Sequence, residues 1–508
     1  MKIKSVRIKN FRSYKEEIKI EIGDLTTFVG KNDIGKSSIL EVLDVFFNEG
    51  KGVIKIDKDD VNKSALSEGD DEIVISVEFE ELPITLVIDS TNATTLQNEH
   101  LLNRDGNLEI IKKYPNGGKE KVFVKAFHPN NSQCRDLLRK TNTELRTILS
   151  SGNIECENRT INAVMRTAIW NHYIDSLQLE VIEIDVTKGD TKSIWEKLQE
   201  YLPLYSLFQS DRKNSDGDSE VQDPLQQAVK QILNNAELRI LLSRVATEVE
   251  TKLREVADST LEKLNELNPD IADSLNPIIP SADNLKWIDV FKKVSIAGDE
   301  AIPINKRGSG IKRLILLSFF RAEAERRRTE RNSPSIVYAI EEPETSQHTE
   351  HQKKLMTALL TLSQAANTQI LLTTHSAVAV KELKFEHIRL VTQTGTTKTV
   401  EEVIPNQLPY PSLNEVNFLA FNEVTEEYHN ELYGFIEAEG WLSNFINGKP
   451  TMNYNRVRNG NPITEQKVLT EYIRHQIHHP ENTSNIRFTN AQLNDSIILM
   501  RNFIEEQP

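Results

Sequence analysis

The eight residues Gly30–Ser37, GKNDIGKS, constrain this chain more than any other stretch. They complete the spacing GxxxxGK[ST], follow the apolar run TTFVG and open the apolar-faced run SSILEVLDVFF. A strand that ends in such a loop and passes straight into a helix brings backbone N–H groups and a helix N-terminus to one point, where they cradle phosphates. In this reading Lys36 reaches the β- and γ-phosphates and Ser37 supplies a hydroxyl to Mg²⁺.

Three later stretches narrow the chemistry. In IVYAIEEPE, Ile336–Glu344, the apolar positions Ile336, Val337, Ala339 and Ile340 lead to Glu341 and Glu342 at the end of a buried strand. Adjacent strand residues face opposite ways, so the two carboxylates take different tasks. Glu341 is expected to hold the Mg²⁺ shell and Glu342 to polarise an attacking water. In LLTTHS, Leu371–Ser376, a short apolar strand ends at Thr373, Thr374 and His375, which places the histidine to sense a γ-phosphate. In RGSGIKR, Arg307–Arg313, Ser309 and Gly310 open the predicted helix IKRLILLSFFRAEAERR. That helix N-terminus is a second anion site, far enough from Lys36 along the chain to serve a different nucleotide.

Around these motifs the chain reads as strand, turn, strand, loop and helix over its first forty-five residues, because IKSVRIKNF and EEIKIEIG alternate with period two. Further strands are expected at Glu72–Glu80, Thr85–Ile88, Leu108–Tyr114 and Lys121–Phe127, forming an antiparallel addition to the nucleotide-binding core. The pattern turns helical from Asn131, with a helical arm over Leu225–Leu267 and a polar linker at Gln209–Asp223. From Asn284 to Gln393 strands alternate with helices, as in a parallel sheet with crossovers. Helices are then expected at Asn414–Glu437, Thr464–His479 and Asn490–Glu506. The expected divisions are residues 1–130, an N-terminal ATPase lobe; 131–283, a helical insertion; 284–400, a C-terminal lobe; and 410–508, a helical domain.

The net charge of −15 argues against coating nucleic acid non-specifically, since Lys and Arg supply most of that affinity. The best basic run, Arg321 to Arg331, is read as a solvated helix end. The N-terminus lacks a signal-peptide apolar run, no window approaches a membrane span, and Cys134 and Cys156 form no metal or disulfide pattern. A cytoplasmic protein with no membrane partner is expected.

Taken together, the motifs resemble the ABC-type ATPases of the SMC, RecF and overcoming-lysogenisation-defect group, whose NFRS segment and GxNxxGKSS loop are similar to Asn10–Ser13 and Gly30–Ser38. The resemblance implies an α/β fold: an ABC/SMC-like P-loop ATPase head with an antiparallel β addition, a helical insertion and an all-α C-terminal domain. It implies ATP and Mg²⁺ as ligands, with Arg12, Gly30, Asn32, Gly35, Lys36, Ser37 and Ser38 around the nucleotide. Glu341 would be the Walker B acid, Glu342 the base, Glu344–Ser346 the D-loop region and His375 the switch histidine. In this family two heads sandwich two ATP molecules, so Ser309 and Gly310 would complete the Lys36 site of another copy. Two departures stand out: Glu341 replaces the aspartate of many relatives, and RGSGIKR replaces LSGGQ. Gln209 and Gln222 are the candidates for the Q-loop.

The C-terminal hundred residues lack the acidic cluster of a Toprim nuclease. Instead EYIRHQIHHPEN, Glu471–Asn482, places Arg474 and His479 at R-x4-H spacing on a helix end, which resembles the HEPN ribonuclease motif. There Arg474 would stabilise phosphate charge and His479 would move a proton. A docking domain and a metal site through His475 and His479 are the competing readings. The architecture resembles ATPase subunits of anti-phage systems such as Septu and retron-associated ATPases, which implies self-association, an effector nuclease partner and phage DNA, RNA or tRNA as possible ligands. A DNA-repair ATPase and a nucleotide-gated scaffold with little turnover are the alternatives.

Overall fold

The structure is a computed structural model that describes residues 1–48, 52–89, 92–187, 191–209, 229, 232–267, 335–345, 349–395, 397–403, 412–458 and 461–507. Along the chain the strands are β1 (Lys2–Lys9), β2 (Ile18–Glu21), β3 (Leu25–Val29), β4 (Glu72–Glu80), β5 (Leu86–Asp89), β6 (Asn92–Thr94), β7 (Leu108–Pro115) and β8 (Lys121–Pro129). They continue with β9 (Leu179–Asp185), β10 (Leu204–Phe208), β11 (Ile336–Glu341), β12 (Thr368–Thr374), β13 (Ile388–Thr394), β14 (Thr397–Glu402), β15 (Thr451–Arg458) and β16 (Asn461–Val468).

One six-stranded sheet, ordered β2-β1-β4-β7-β8-β9, is antiparallel throughout. Its period-two sequence sets the register: Ile3, Val6 and Ile8 lie opposite Phe79, Val77 and Ile75, and all six are buried. The turn joining β7 to β8 depends on glycine, because Gly117 has φ +62° and a Cβ there would lie 2.1 Å from the Asp57 carbonyl oxygen. The other six-stranded sheet is ordered β10-β11-β12-β3-β13-β14. Its strands β3, β11 and β12 are almost continuously buried, as apolar runs covered on both faces must be.

The stretch from Asn131 is not purely helical. LEVIEID forms β9 at the edge of the antiparallel sheet, and LYSLF forms β10, which pairs parallel with β11. Both strands are short apolar-rich runs between helices, where tertiary pairing decides the state. Of the stretch expected as a helical arm, Leu225–Leu267, the residues Ala236–Leu267 form a 32-residue helix.

Chain contacts divide the protein into two compact units: Met1–Leu25, Ser37–Gln347 and Thr357–Leu371 in the first; Thr26–Lys36, His348–Met356 and Leu372–Pro508 in the second. The first unit contains the antiparallel sheet and a buried ion pair, in which the Arg166 guanidinium donates two hydrogen bonds to Glu99 at 2.8 and 3.1 Å. The second unit ends in helices at Leu413–Phe421, Glu426–Ala438, Leu469–His478 and Asn490–Glu505. Tyr428, Leu432, Ile436, Ile473, Ile497 and Met500 form their shared core. A buried polar chain crosses it, from His429 Nε2 to Ser496 Oγ at 3.0 Å and on to Thr470 Oγ1 at 2.9 Å.

This C-terminal segment corrects the all-α expectation. Thr451–Arg458 and Asn461–Val468 form an antiparallel hairpin, so the helix expected from Thr464 begins only at Leu469. The alternating TMNYNRVR buries Tyr454, whose ring meets that of Tyr472 at 5.9 Å, while Asn453–Gln466 and Asn455–Thr464 side-chain pairs cover the other face. The helix expected over Asn414–Glu437 breaks at Asn422, a left-handed cap with φ 56°.

Candidate nucleotide and metal site

In the second unit, β3 leads directly into the Gly30–Lys36 loop. Gly30 has φ +153°, and a Cβ at that position would stand 2.5 Å from the Val391 carbonyl oxygen, so the strand exit admits no side chain. Asp33 at φ 60° and Gly35 at φ 102° turn the loop, leaving Asn32 exposed. The buried Lys36 ammonium donates to the carbonyls of Gly30 at 2.9 Å and Lys31 at 2.8 Å. Two backbone carbonyls of the loop thus accept from its own cation, contacts that a phosphate oxygen can replace. His375, exposed, follows β12, and Ser376 caps the next turn by accepting from the Ala379 amide at 3.2 Å.

In the first unit, Ser37 and Ser38 lie in the first turn of helix α1 (Lys36–Asn48), whose apolar residues Ile39, Leu40, Val42, Leu43 and Phe46 are buried. Tyr205 of β10 ties this helix down: its hydroxyl donates to the Leu40 carbonyl at 2.7 Å and its ring stacks on Phe47 at 5.4 Å. Arg12 sits in a left-handed loop, with φ 61° at Asn10 and 47° at Arg12. The Arg12 amide donates to Asp60 O at 2.6 Å and Asn62 Nδ2 donates to Arg12 O at 2.6 Å, which fixes that loop. The Arg12 guanidinium donates from Nε to Asp60 Oδ1 at 2.7 Å and from Nη1 to Glu41 Oε2. The other oxygen of Glu41 accepts from Gln209 Nε2 at 3.0 Å.

Glu341 ends β11 beside this group. Burial, then the Glu41 charge, pushes its carboxyl up to about 7; the Gln209 amide and Arg12 pull it down, and Glu342 adds to the rise. Glu342 follows in the left-handed region at φ 40°, and its carbonyl accepts from the Thr345 amide at 3.1 Å. Among the described residues, Gln209 Oε1 and Glu341 Oε1 are buried with no hydrogen-bond partner. Two orphaned oxygens, one neutral and one acidic, are the donor type that Mg²⁺ takes, so the residues fit that ion. Among the described residues no three His, Cys, Asp or Glu side chains cluster as a metal site. A nucleotide-bound Mg²⁺ does not require one, because phosphate, hydroxyl and water oxygens fill most of its shell.

The AAA ATPase domain family matches residues 1–380. The chain belongs to this AAA ATPase domain family. No curated protein sequence matches the chain. Among solved structures it is similar to an SMC head bound to the C-winged helix domain of ScpA, with 14% identity over 79% of this chain and 98% of that one and a TM-score of 0.37. It is similar to the SMC head domain from Thermotoga maritima, with 12% identity over 80% and 100% and a TM-score of 0.33. It is also similar to an SMC head with an extended coiled coil bound to the C-terminal domain of ScpA derived from Pyrococcus furiosus, with 14% identity over 79% and 96% and a TM-score of 0.34. At such scores the likeness adds nothing to what the residues themselves carry.

Within the AAA ATPase domain, then, Arg12 and Glu341 converge on one charged group, and Gln209 joins them from the end of β10. Ser309, Gly310, the alternative Gln222 and the basic run Arg321–Arg331 lie outside the described residues. Sequence reasoning missed Glu41, Asp60 and Asn62. Glu41 carried a signal: it is an acid on α1 one turn after the Gly30–Ser37 motif, on a helix whose neighbouring residues are apolar.

Beyond the AAA ATPase domain, Arg474 and His479 lie on or at the end of one helix but engage different partners. The Arg474 guanidinium lies 4.1 Å over the Tyr433 ring and donates to Glu437 Oε2 at 3.3 Å. His479 caps the helix and pairs through Nδ1 with Glu481 at 3.1 Å, its ring 6.3 Å from that of His475. No described helix is long and apolar enough to cross a membrane.

Proposed function

We propose that the chain binds ATP with Mg²⁺, hydrolyses it, and uses the bound state to bring two copies face to face, thereby controlling an effector nuclease in anti-phage defence. The observation that carries this reading is the Gly30–Ser38 loop, closed by Gly30 against Val391 with Lys36 held by two of its carbonyls, within a chain of the AAA ATPase domain family. Lys36 exchanges its two carbonyl acceptors for phosphate oxygens, a stronger charge-assisted pairing. Ser37, Glu341 and Gln209 hold the Mg²⁺ shell. Mg²⁺, when bound, neutralises phosphate charge and orients the β- and γ-oxygens. Glu342 orients and deprotonates the attacking water, and the exposed His375 reports on the γ-phosphate. Ser309 and Gly310 of a second copy complete the site.

The nuclease is assigned to a partner chain rather than to Arg474 and His479, because the ion pair and ring contact of Arg474 read as a helix-packing role. The defence assignment is supported by the resemblance of the whole architecture to Septu-type ATPases. The test is ATP turnover and light scattering on the purified chain. Lys36→Ala is expected to abolish nucleotide binding, and Glu342→Gln to bind ATP, turn over at least 100-fold more slowly and accumulate as a dimer, in line with loss of a general base. Parent-like turnover by Lys36→Ala defeats the reading.

A further inference from the structure

The carboxylate of Glu41 is pinned between two donors, and nothing in the Gly30–Ser37 motif calls for it. Its Oε2 accepts from Arg12 Nη1 and its Oε1 accepts from Gln209 Nε2 at 3.0 Å. Both partners are themselves fixed. Arg12 is anchored by Asp60 through its side chain and its backbone N–H. Gln209 directly follows β10, the strand that Tyr205 fastens to α1 through the Leu40 carbonyl. Glu41 and Gln209 therefore stand on two elements locked together next to Glu41, through the carbonyl of Leu40.

A carboxylate can only accept, so it can pair only with the NH₂ end of an amide. An amide whose NH₂ is committed must turn its carbonyl oxygen elsewhere, and Gln209 Oε1 is buried with no partner among the described residues. Leaving a buried oxygen unpaired costs about 1 to 3 kcal/mol unless something occupies it. Without Glu41 nothing on that side distinguishes the two ends of the amide, and it is free to turn over. Glu41 forbids the flip.

We infer that Glu41 is a positioning residue: with its outer oxygen held by Arg12, it locks the Gln209 amide with the carbonyl oxygen available to the Mg²⁺ that accompanies the nucleotide. This rests on the ATP reading above and deepens it. Metal-site residues of this outer kind orient the ligand without touching the ion, and their loss commonly costs 10- to 100-fold in metal affinity. Glu41→Gln should fare no better than Glu41→Ala, since its carbonyl satisfies Arg12 and its NH₂ then invites Gln209 to flip.

The experiment measures the affinity of the full chain for a fluorescent ATP analogue in Mg²⁺ and in EDTA, taking the ratio of the two as the metal increment. In Glu41→Ala and Glu41→Gln the increment is expected to fall about tenfold while affinity in EDTA stays within about twofold of the parent. In the Gln209→Ala background, Glu41→Ala should cost nothing more, because its only route is gone. An unchanged increment in the single variants overturns the inference. So does an additive loss in the double variant, which makes the charge of Glu41 the cause, and so does a parallel loss in EDTA, which makes the role structural. A parent chain that binds the analogue equally with and without Mg²⁺ overturns it while leaving ATP binding intact. A parent that binds no nucleotide at all brings down the ATP reading itself.

Discussion

Replacing Glu341 by glutamine should stabilise the metal-free chain, by an amount that grows as pH rises from about 4.5 to about 7 and is full above that. The ordinary value for this carboxyl is 4.5, and burial beside Glu41 pushes it up to about 7. A group whose folded value lies above its unfolded value gives its full stabilisation below the unfolded value and loses it as pH rises through the folded one. Each pKa unit corresponds to about 1.4 kcal/mol, so the rise from 4.5 to about 7 means the ionised carboxylate burdens the fold by about 3 kcal/mol above pH 7. Glutamine carries no such burden at any pH. Melting of parent and Glu341→Gln, both in EDTA without nucleotide, should therefore nearly coincide at about pH 4, below the ordinary value, and separate by about 3 to 6 °C at about pH 8, with the variant higher. Titrating groups that do not interact with Glu341 cancel in the difference between the two chains. A gap of equal size at both pH values, or a parent that melts higher than the variant at about pH 8, refutes the argument that Glu341 is held in a place built for a positive ion.

Glu99→Ala should cost about 3 kcal/mol or more in thermal unfolding, because it removes the buried carboxylate that accepts two hydrogen bonds from the Arg166 guanidinium; a parent-like melting temperature would show that the pair carries no such share of the stability. Gly30→Ala puts a methyl 2.5 Å from the Val391 carbonyl oxygen, and should weaken binding of an ATP analogue at least about tenfold; parent-like affinity would show that the loop closes differently. The purified chain should leave RNA intact in EDTA. Arg474→Ala should instead lower the stability of the C-terminal helices by about 1 kcal/mol, through loss of its contact with Tyr433, as read by limited proteolysis. RNA cleavage that disappears in Arg474→Ala with His479→Ala would move the nuclease into this chain.

The legible parts of the site were those contiguous in sequence. Gly30–Ser37 carries strand exit, loop and helix start within one short run, and Glu341 with Glu342 ends an apolar strand whose length and composition permit little else. Arg12 was legible only through the likeness of NFRS, since a lone arginine after an alternating strand has no signature of its own. Glu41 was hidden because SSILEVLDVFF reads as an amphipathic helix, in which a single glutamate is usually solvated. What makes it otherwise is Gln209, far along the chain and brought beside it by β10. The same kind of long-range decision turned LEVIEID and LYSLF into strands within a helical stretch. The strand TMNYNRVR was obscured by its two arginines, which read as solvated, and its two asparagines, which favour turns unless, as here, one face is a ladder of amide and hydroxyl pairs.

Four of the residues discussed for the site carry left-handed backbone. Asn10, Arg12, Asp33 and Glu342 all lie at φ between 40° and 61°, a region that costs a side-chain-bearing residue about 1 kcal/mol or more. Such conformations persist only where neighbours over-determine them, and in three of the four the determinants are visible: Asn10 Nδ2 donates to the carbonyls of Asp70 and Glu72, Arg12 is held through its amide and carbonyl as well as its guanidinium, and the Glu342 carbonyl closes a turn onto Thr345. The chain therefore builds Arg12 and Glu342 into position before any ligand arrives. That ordering makes the arginine a fixed post from which Glu41 is hung, and it explains why Arg12 is paired with two carboxylates: one, Asp60, sets where the guanidinium stands, and the other, Glu41, carries that placement onward to Gln209.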